Sequence, residues 1–204
     1  MRDALVIALS VLPSALVGCA PTVGTLASPR DATLCELSRA PIESNKAVVR
    51  VSGVAGYAFE HFTLSDPACP ADDKTLTPIW LTYGGHDSPR TIYCCPGEGG
   101  ESTRDKSLVI DDVSLPIEDG EIFRRFRVRL RKVFDAGGED LAAGVEANVI
   151  VVGTFFARGR QEAKANGDTE LTGFGHFACC SLLVIQRVEQ YDEIRSQPRA
   201  APVQ

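Results

Sequence analysis

Hydrophobic and polar positions alternate along several short segments of the chain, which is the pattern of β-strands with one buried face. The longest such stretch lies within residues 46–66 and includes the sequence VVRVSGVAGYAFEHFTLSD. Gly53 and Gly56 fall in its first half, where glycine allows a strand to coil or bulge. We therefore predict a long bent strand, a short break and a second strand that completes a β-hairpin.

Three further segments also have strand patterns. Residues 79–83 (IWLTY) combine aromatic and β-branched side chains and stop at two glycines. Residues 147–157 are almost entirely apolar, as in a strand buried on both faces, and residues 181–188 form the last predicted strand.

Residues 118–134 have a different period, because their apolar side chains recur at the spacing of one helix face. The segment FRVRLR within them also alternates like a strand, but the length and the acidic first turn favour a helix that ends before two glycines. The residues predicted to share the buried face are Ile122, Phe123, Phe126, Leu130, Val133 and Phe134.

The order strand, strand, strand, helix, strand, strand resembles that of the OB-fold, a five-stranded Greek-key barrel. The start VVRVSGVAGYAFEHFTLSD resembles OB first hairpins, in which a glycine lets the first strand coil and pair on both sides. The resemblance covers residues 46–190. It implies a mainly β protein with one helix (α+β) and an OB-like barrel, with a β-sandwich carrying an inserted helix as the alternative.

The first eighteen residues have the pattern of a secretory signal peptide, since the apolar run 4–17 is too short to span a membrane. Leu16-Val17-Gly18-Cys19 resembles the lipobox of bacterial lipoproteins. The resemblance implies cleavage before Cys19 and acylation of Cys19 with lipid such as palmitate. Ala20, where lipoproteins retained at the inner membrane carry Asp, implies an outer-membrane anchor facing the periplasm in a Gram-negative host.

The chain therefore divides into a signal peptide (1–18), a flexible tether (19–32), a single domain (33–192) and a disordered tail (193–204). Apolar residues make up 44% of the 204 residues and charged residues 24%, as in folded globular domains. The net charge of -6 argues against nucleic acid as a partner. We expect contact with the membrane through the lipid anchor and with an envelope protein or glycan.

Seven cysteines are present, and assigning Cys19 to lipid leaves an even number, as a disulfide framework in an oxidising compartment requires. Adjacent cysteines seldom bridge each other, so we predict one bridge between the two vicinal pairs, with the two isolated cysteines taking the remaining members. The alternative is a zinc or copper(I) site that includes His61, His176 and Cys179. The disulfide candidates are Cys35, Cys69, Cys94, Cys95, Cys179 and Cys180.

Two other groups of side chains suggest chemistry. His61 and His176 each precede a Phe at a predicted strand start and could share a rim site with His86, although two unrelated histidines bonded to backbone are favoured. A basic cluster on the helix could contact anionic lipid or phosphate-rich glycans, although a solvated face is favoured. Its members are Arg124, Arg125, Arg127, Arg129, Arg131 and Lys132.

No convincing catalytic arrangement emerges from the sequence. Glu60-His61 and Asp111-Asp112 are the nearest candidates, but neighbours in a strand point to opposite faces. The Gly-rich segment 96–100 lacks the Lys-Ser/Thr of a phosphate loop. We expect a non-catalytic binding or structural module of the cell envelope, without a cofactor. The alternative is a metal-binding or thiol-redox lipoprotein using His61, His176 and the vicinal cysteines.

Overall fold

A computed structural model describes residues 24–58, 61–69, 76–86, 107–136, 144–157, 161–163, 169–171, 173–175 and 178–196. For residues 134–136, 161–163 and 169–171 the description covers the backbone. The elements, in chain order, are β1 (Arg30–Asp31), α1 (Leu34–Arg39), a 3₁₀ turn (Pro41–Ser44), β2 (Val48–Ala58), β3 (His61–Ser65), β4 (Ile79–Tyr83), β5 (Leu108–Ile110), β6 (Val113–Leu115), α2 (Glu121–Ala136), β7 (Val145–Phe156), β8 (Gln161–Ala163), β9 (Thr169–Leu171), β10 (Ser181–Tyr191) and β11 (Arg195–Ser196).

Five of these strands close into a barrel in the order β2-β3-β4-β10-β7, with β7 pairing back onto β2. The β4–β10 pair is parallel, and the other four pairs are antiparallel. The long helix α2 lies in the connection between β4 and β7. The predicted OB-like α+β fold is therefore confirmed, and the β-sandwich alternative is wrong.

The coiling predicted for the first strand has a visible cause. One edge of β2 pairs with β7 from Val48 to Tyr57. Its other edge pairs first with β1 at Val49 and then with β3 from Val54 onward. Gly53 lies at the change of partner, where a Cβ would fall 2.6 Å from Leu34 Cδ1 and 2.7 Å from the Ser65 carbonyl oxygen. Glycine is therefore required where α1 and β3 both approach the strand.

Inward-facing residues of all five strands form what we call the inner core, which α1 and α2 complete. The alternation along β2 and β3 is that of strands with one face toward an apolar interior, as the sequence predicted. The largest side chains that are less than 2% exposed in this core are Leu37, Phe62, Ile79, Leu81, Phe123, Phe126, Phe155 and Leu183.

Helix α2 begins three residues later than predicted and runs to Ala136. Phe123, Phe126 and Leu130 are buried, as the helical spacing requires, and Val133 is partly buried. The placement of Ile122 was wrong, because this side chain is 45% exposed. Ile122 lies about 100° around the helix from Phe123 and so falls at the border of the apolar stripe. The side chain of Phe134 lies outside the description.

A second apolar cluster lies on the outside of the barrel and is called here the outer layer. All five residues of β4 are buried, because the outward-facing Trp80 and Thr82 are covered as well. The cover is the hairpin β5–β6 together with Phe174 and Cys180. The members of the outer layer are Trp80, Ile110, Leu115, Phe156, Phe174, Cys180, Leu182 and Val184.

The acidic pair Asp111-Asp112 forms the turn of that covering hairpin. Both residues have positive φ angles, 47° and 65°, as in the two-residue turns that connect twisted strands. Sequence analysis considered this pair as catalytic carboxylates and overlooked the hairpin. The signal was present, because the apolar triplet Leu-Val-Ile precedes the Asp-Asp dipeptide and the alternating triplet Val-Ser-Leu follows it.

Segments near both ends of the described chain contact the barrel. In the N-terminal segment, β1 pairs with β2 and the Arg30 guanidinium donates to Ser44 Oγ at 2.7 Å. At the other end, Ile194 is buried and β11 pairs with β7, so the domain reaches Ser196.

Helix α1 was missed although its sequence carries a recognisable start signal. Thr33 and Glu36 form a capping box, in which each side chain accepts from the other residue's backbone N–H. Across the described ranges, neither α1 nor α2 has the length and apolar character needed to cross a bilayer.

Candidate functional site

The structure joins Cys35 of α1 to Cys69, which follows β3, with their Cα atoms 5.5 Å apart. We predicted that each of these cysteines bonds to a member of a vicinal pair, and that prediction is wrong. The pairing follows from packing, since Leu34 of α1 lies over Gly53 and Leu64 of β3 is in the same core. This contact brings the start of α1 beside the turn after β3.

Cys179 and Cys180 are also joined to each other, where we had expected each to bond elsewhere. Cys180 is 1% exposed and belongs to the outer layer, whereas Cys179 is exposed. The preceding Ala178 has a φ of 51°, so the chain makes a tight turn into the pair. Cys94 and Cys95 lie outside the described residues, and their pairing stays a prediction.

His61 lies at the start of β3, where its Nε2 is 2.8 Å from Thr63 Oγ1 and its ring is 6.3 Å from the Trp80 ring. Desolvation by these neighbours lowers the pKa of His61, although the residue as a whole remains exposed. His86 is exposed, and His176 and Glu60 lie outside the described residues. The shared histidine site stays a prediction.

The metal site predicted from His61, His176 and Cys179 cannot be placed for the same reason. Within the described ranges, one group of side chains has metal-like spacing, namely Cys35, Cys69 and Asp66, whose ligand atoms lie within 4.8 Å of one another. The two sulfurs are joined in a disulfide, and a metal requires the thiolate form. This group therefore holds the β3 turn rather than a metal.

An open groove of about 350 Å³ crosses the outer face of β2, β7 and β10 and is a candidate ligand site among the described residues. Its volume lies within the range of small-molecule pockets. The barrel register builds its floor, because Ser52 lies opposite Ile150, Ile150 opposite Gln190, and Val54 opposite Asn148. The groove is lined by Ser52, Gly53, Val54, Asp66, Pro67, Asn148, Val149, Ile150, Gln190 and Asp192.

Two carboxylates flank this groove, and each helps to fix a wall. The Asp192 carboxylate accepts from the Asn148 backbone N–H at 2.9 Å and from the Asn148 side-chain amide. The Asp66 carboxylate accepts from the Ala68 N–H at 2.8 Å, and its carbonyl accepts from the Cys69 N–H. The disulfide therefore anchors the loop that carries Asp66.

The groove offers mainly acceptor oxygens beside apolar side chains, which suits a ligand that presents amine or hydroxyl donors next to an apolar part. Sequence analysis did not identify this group. Asn148 interrupts an apolar run of β7, which was the available signal, whereas Gln190 follows Glu189 in the polar end of β10. Their proximity to Ser52 depends on barrel closure, which a local pattern does not contain.

Five members of the basic cluster are exposed on α2, and Arg127 is of intermediate exposure. The side chains of Arg124 and Arg125 are 64% and 70% exposed and pair with Asp119 and Glu121. Val128 lies among these cations and is 63% exposed. A large apolar side chain surrounded by arginines is a surface feature that the sequence analysis did not isolate.

A second missed feature is an ion network centred on Glu189 of β10. Its two oxygens accept from the Arg50 guanidinium at 2.9 and 3.2 Å, and Arg187 donates to one of them at 2.9 Å. The hydrogen bonds from Arg50, and to a lesser extent those from Arg187, lower the pKa of Glu189. The network gives no signal in the sequence, because Arg50 of β2 lies 139 residues from Glu189 of β10.

The same network fastens the N-terminal segment and the start of α2. Arg50 also contacts Asp31 of β1 at 3.2 Å. Arg187 donates to both Glu118 carboxylate oxygens at 3.2 Å and to the Leu26 carbonyl at 3.0 Å. The chain that leads back to Cys19 is thus held beside the approach to α2.

Comparison of this chain with known proteins returned no match among protein-family models, curated proteins or solved structures.

Proposed function

We propose that the protein is a lipid-anchored binding or structural module of the bacterial cell envelope, without catalytic activity. The observation that carries the proposal is the sequence Leu16-Val17-Gly18-Cys19, which follows a short apolar run and resembles a lipobox. An acylated Cys19 would hold the barrel at the membrane surface. In a Gram-negative host, Ala20 favours the periplasmic side of the outer membrane.

The disulfide between Cys35 and Cys69 supports this location. Structural disulfides persist in exported proteins and are rare in a reducing cytosol. The pair closes a loop of 34 residues and anchors one wall of the groove, so the oxidised state and the shape of the groove are linked.

We assign the binding role to the groove across β2, β7 and β10. Its carboxylates and amides suit a ligand with amine or hydroxyl donors, such as part of an envelope glycan or a peptide from an envelope protein. Binding at this face would leave α2 and the tether free to set the position of the domain at the membrane.

The anchor is tested by growing cells that express the full chain in labelled palmitate. The wild type is expected to incorporate label, and Cys19→Ala is expected to incorporate none. Cys179→Ala is the matched control, because it also removes one cysteine but leaves the lipobox intact. An unlabelled wild type would contradict the anchor.

Two measurements on the mature protein distinguish the competing metal-binding or thiol-redox function from the proposed binding module. Stoichiometric zinc or copper after purification without chelator would overturn the binding-module proposal. Alkylation without reductant is expected to leave Cys35 and Cys69 unlabelled. Labelling of four or more thiols would contradict the disulfide framework.

A further inference from the structure

The outer face of α2 combines high positive charge with exposed apolar side chains. The helix carries six basic and two acidic residues in a chain whose net charge is -6. Within the part of the chain that the structure describes, Arg129 and Lys132 form no ion pair with any neighbour. A charge of this sign concentrated on one helix is complementary to an anionic surface.

Val128 makes this face more than a solvated helix surface. It is 63% exposed, and the helical repeat places Arg124 and Arg125 on the turn before it and Lys132 on the turn after it. Ile122 is a second exposed apolar side chain, at 45%, but it lies on the flank of the helix, about 120° around from Val128. Apolar side chains between long cationic ones are the arrangement of helices that lie in the headgroup region of a bilayer.

The path of the N-terminal segment places the predicted anchor near this helix. Arg187 holds the Leu26 carbonyl and the Glu118 carboxylate with one guanidinium nitrogen, and Glu118 lies three residues before α2. Leu26 lies seven positions after Cys19, a distance along the chain that spans at most about 24 Å when extended. That is also about the length of α2, whose sixteen residues rise about 1.5 Å each.

From these observations we propose that the outer face of α2, centred on Val128 with Arg124, Arg125, Arg129 and Lys132, docks on an anionic lipid bilayer. This inference rests on the proposed function, because the Cys19 anchor brings the helix within reach of the bilayer. Docking turns α2 toward the lipid and fixes the orientation of the barrel.

The test uses the full lipidated protein carrying Val128→Trp, reconstituted into vesicles whose acyl chains are brominated and quench tryptophan. The vesicles are phosphatidylcholine alone or phosphatidylcholine mixed with phosphatidylglycerol. The natural Trp80 is 2% exposed and supplies a constant background that the wild-type protein measures. We expect the anionic vesicles to quench the tryptophan fluorescence on the order of twofold more strongly than the neutral ones. In 1 M salt the two vesicle types should quench about equally, because the Debye length falls to about 3 Å.

Two matched controls make the result specific. Val109→Trp places the reporter at a valine of similar exposure, 58%, on the hairpin β5–β6. The tip of that hairpin contacts Lys46, which precedes β2. Helix α2 instead packs against Tyr83 at the end of β4 and Tyr191 at the end of β10. The Val109→Trp protein should show no dependence on lipid charge.

Charge reversal provides the second control. Arg129→Glu with Lys132→Glu, added to the Val128→Trp protein, should abolish the difference between the two vesicle types. Arg39→Glu with Lys46→Glu makes the same change in net charge on exposed residues away from α2 and should preserve it. Circular dichroism of each variant establishes that the fold is intact.

The outcomes separate the anchor from the docking surface. Failure of the wild type to float with neutral vesicles overturns the anchor. If the anchor fails in this way, docking is tested by flotation of the unanchored protein with anionic vesicles. Loss of that flotation in the Arg129→Glu/Lys132→Glu variant would still support docking. If the protein floats with both vesicle types but both quench the Val128→Trp protein equally, docking is overturned and the anchor stands. Binding of α2 to soluble glycan but not to anionic lipid would also overturn docking.

Discussion

The inner core and the outer layer are both apolar, but they are built in different ways. The inner core is enclosed by a closed ladder of five strands and sealed by α1 and α2. The outer layer has barrel strands on one side and a short hairpin with Phe174 and Cys180 on the other. Ladder hydrogen bonds hold the walls of the inner core together, whereas the covering hairpin joins the barrel through side-chain packing and the backbone hydrogen bonds of Gly85 with Leu108 and Leu115.

The difference shows what each sequence pattern indicates. Strict alternation, as in β3, marks a strand with one face in the inner core and one in solvent. Continuous burial, as in β4 and the first half of β10, marks strands that the outer layer covers as well. Such a run therefore predicts a second packing layer outside the barrel, even before the covering segment is identified.

The largest expected effect tests the inner core. Phe126→Ala removes a fully buried ring that packs 5.3 Å from the Tyr191 ring, and should lower the free energy of unfolding by about 3–5 kcal/mol. Urea denaturation followed by circular dichroism measures it. Val128→Ala, on the solvent face of the same helix, should change stability by less than about 0.5 kcal/mol. Similar losses in the two variants would show that α2 does not seal the barrel.

The next-largest expected effect concerns the disulfide that links α1 to the turn after β3. Replacing both Cys35 and Cys69 with Ala should lower stability by about 3–4 kcal/mol, because the bridge restricts a loop of 34 residues in the unfolded chain. The comparison is made by urea denaturation in oxidising buffer. In reducing buffer the wild type loses the same bridge, so the gap between wild type and variant should narrow. An unchanged gap would mean that packing, rather than the bridge, accounts for the loss.

A cavity in the outer layer should lower the stability of the covering hairpin alone. Leu115→Ala removes a buried side chain of the covering hairpin and should cost about 2–3 kcal/mol in the stability of that hairpin. Amide hydrogen exchange is the decisive measurement. Amides of β5 and β6 should exchange faster, while those of β2 and β7 keep their protection. Uniform acceleration across all strands would show that the two apolar regions unfold as one unit.

The sequence predicted the barrel strands and α2 well because each is defined by local periodicity. It misplaced Ile122, since a residue at the border of a helix stripe is buried or exposed according to what packs there. The capping box at Thr33 and the turn at Asp111-Asp112 were local signals that could have been used. The groove was different, because Ser52, Asn148 and Gln190 become neighbours through pairings between distant strands.

A smaller effect of opposite sign distinguishes the outer layer from a purely apolar core. Thr82 is fully buried on the outward face of β4, and its hydroxyl has no hydrogen-bond partner in the described structure. Thr82→Val keeps the shape of the side chain and removes the unsatisfied group, so stability should rise by about 1 kcal/mol. Thr154→Val is the matched control, because the Thr154 hydroxyl donates to Gln186 Oε1 at 2.6 Å. That variant should lose stability, and a loss in both would imply that Thr82 also has a partner.

The smallest effect concerns the polar network that fastens the outside of the barrel, and it depends on pH. Arg50 and Arg187 lower the pKa of Glu189, so ionised Glu189 is favoured in the folded state. Its contribution is present at neutral pH and is lost as pH falls through about 4 and below the folded pKa. Because these groups are partly exposed, Glu189→Gln should lower stability at pH 7 by less than about 1 kcal/mol. At pH 3 and below, the wild type and the variant should converge, as urea midpoints would show.

Glu193→Gln removes the same charge from an exposed position four residues along and corrects for net charge. A difference that persists undiminished in acid would mean that Glu189 acts through packing rather than through its charge.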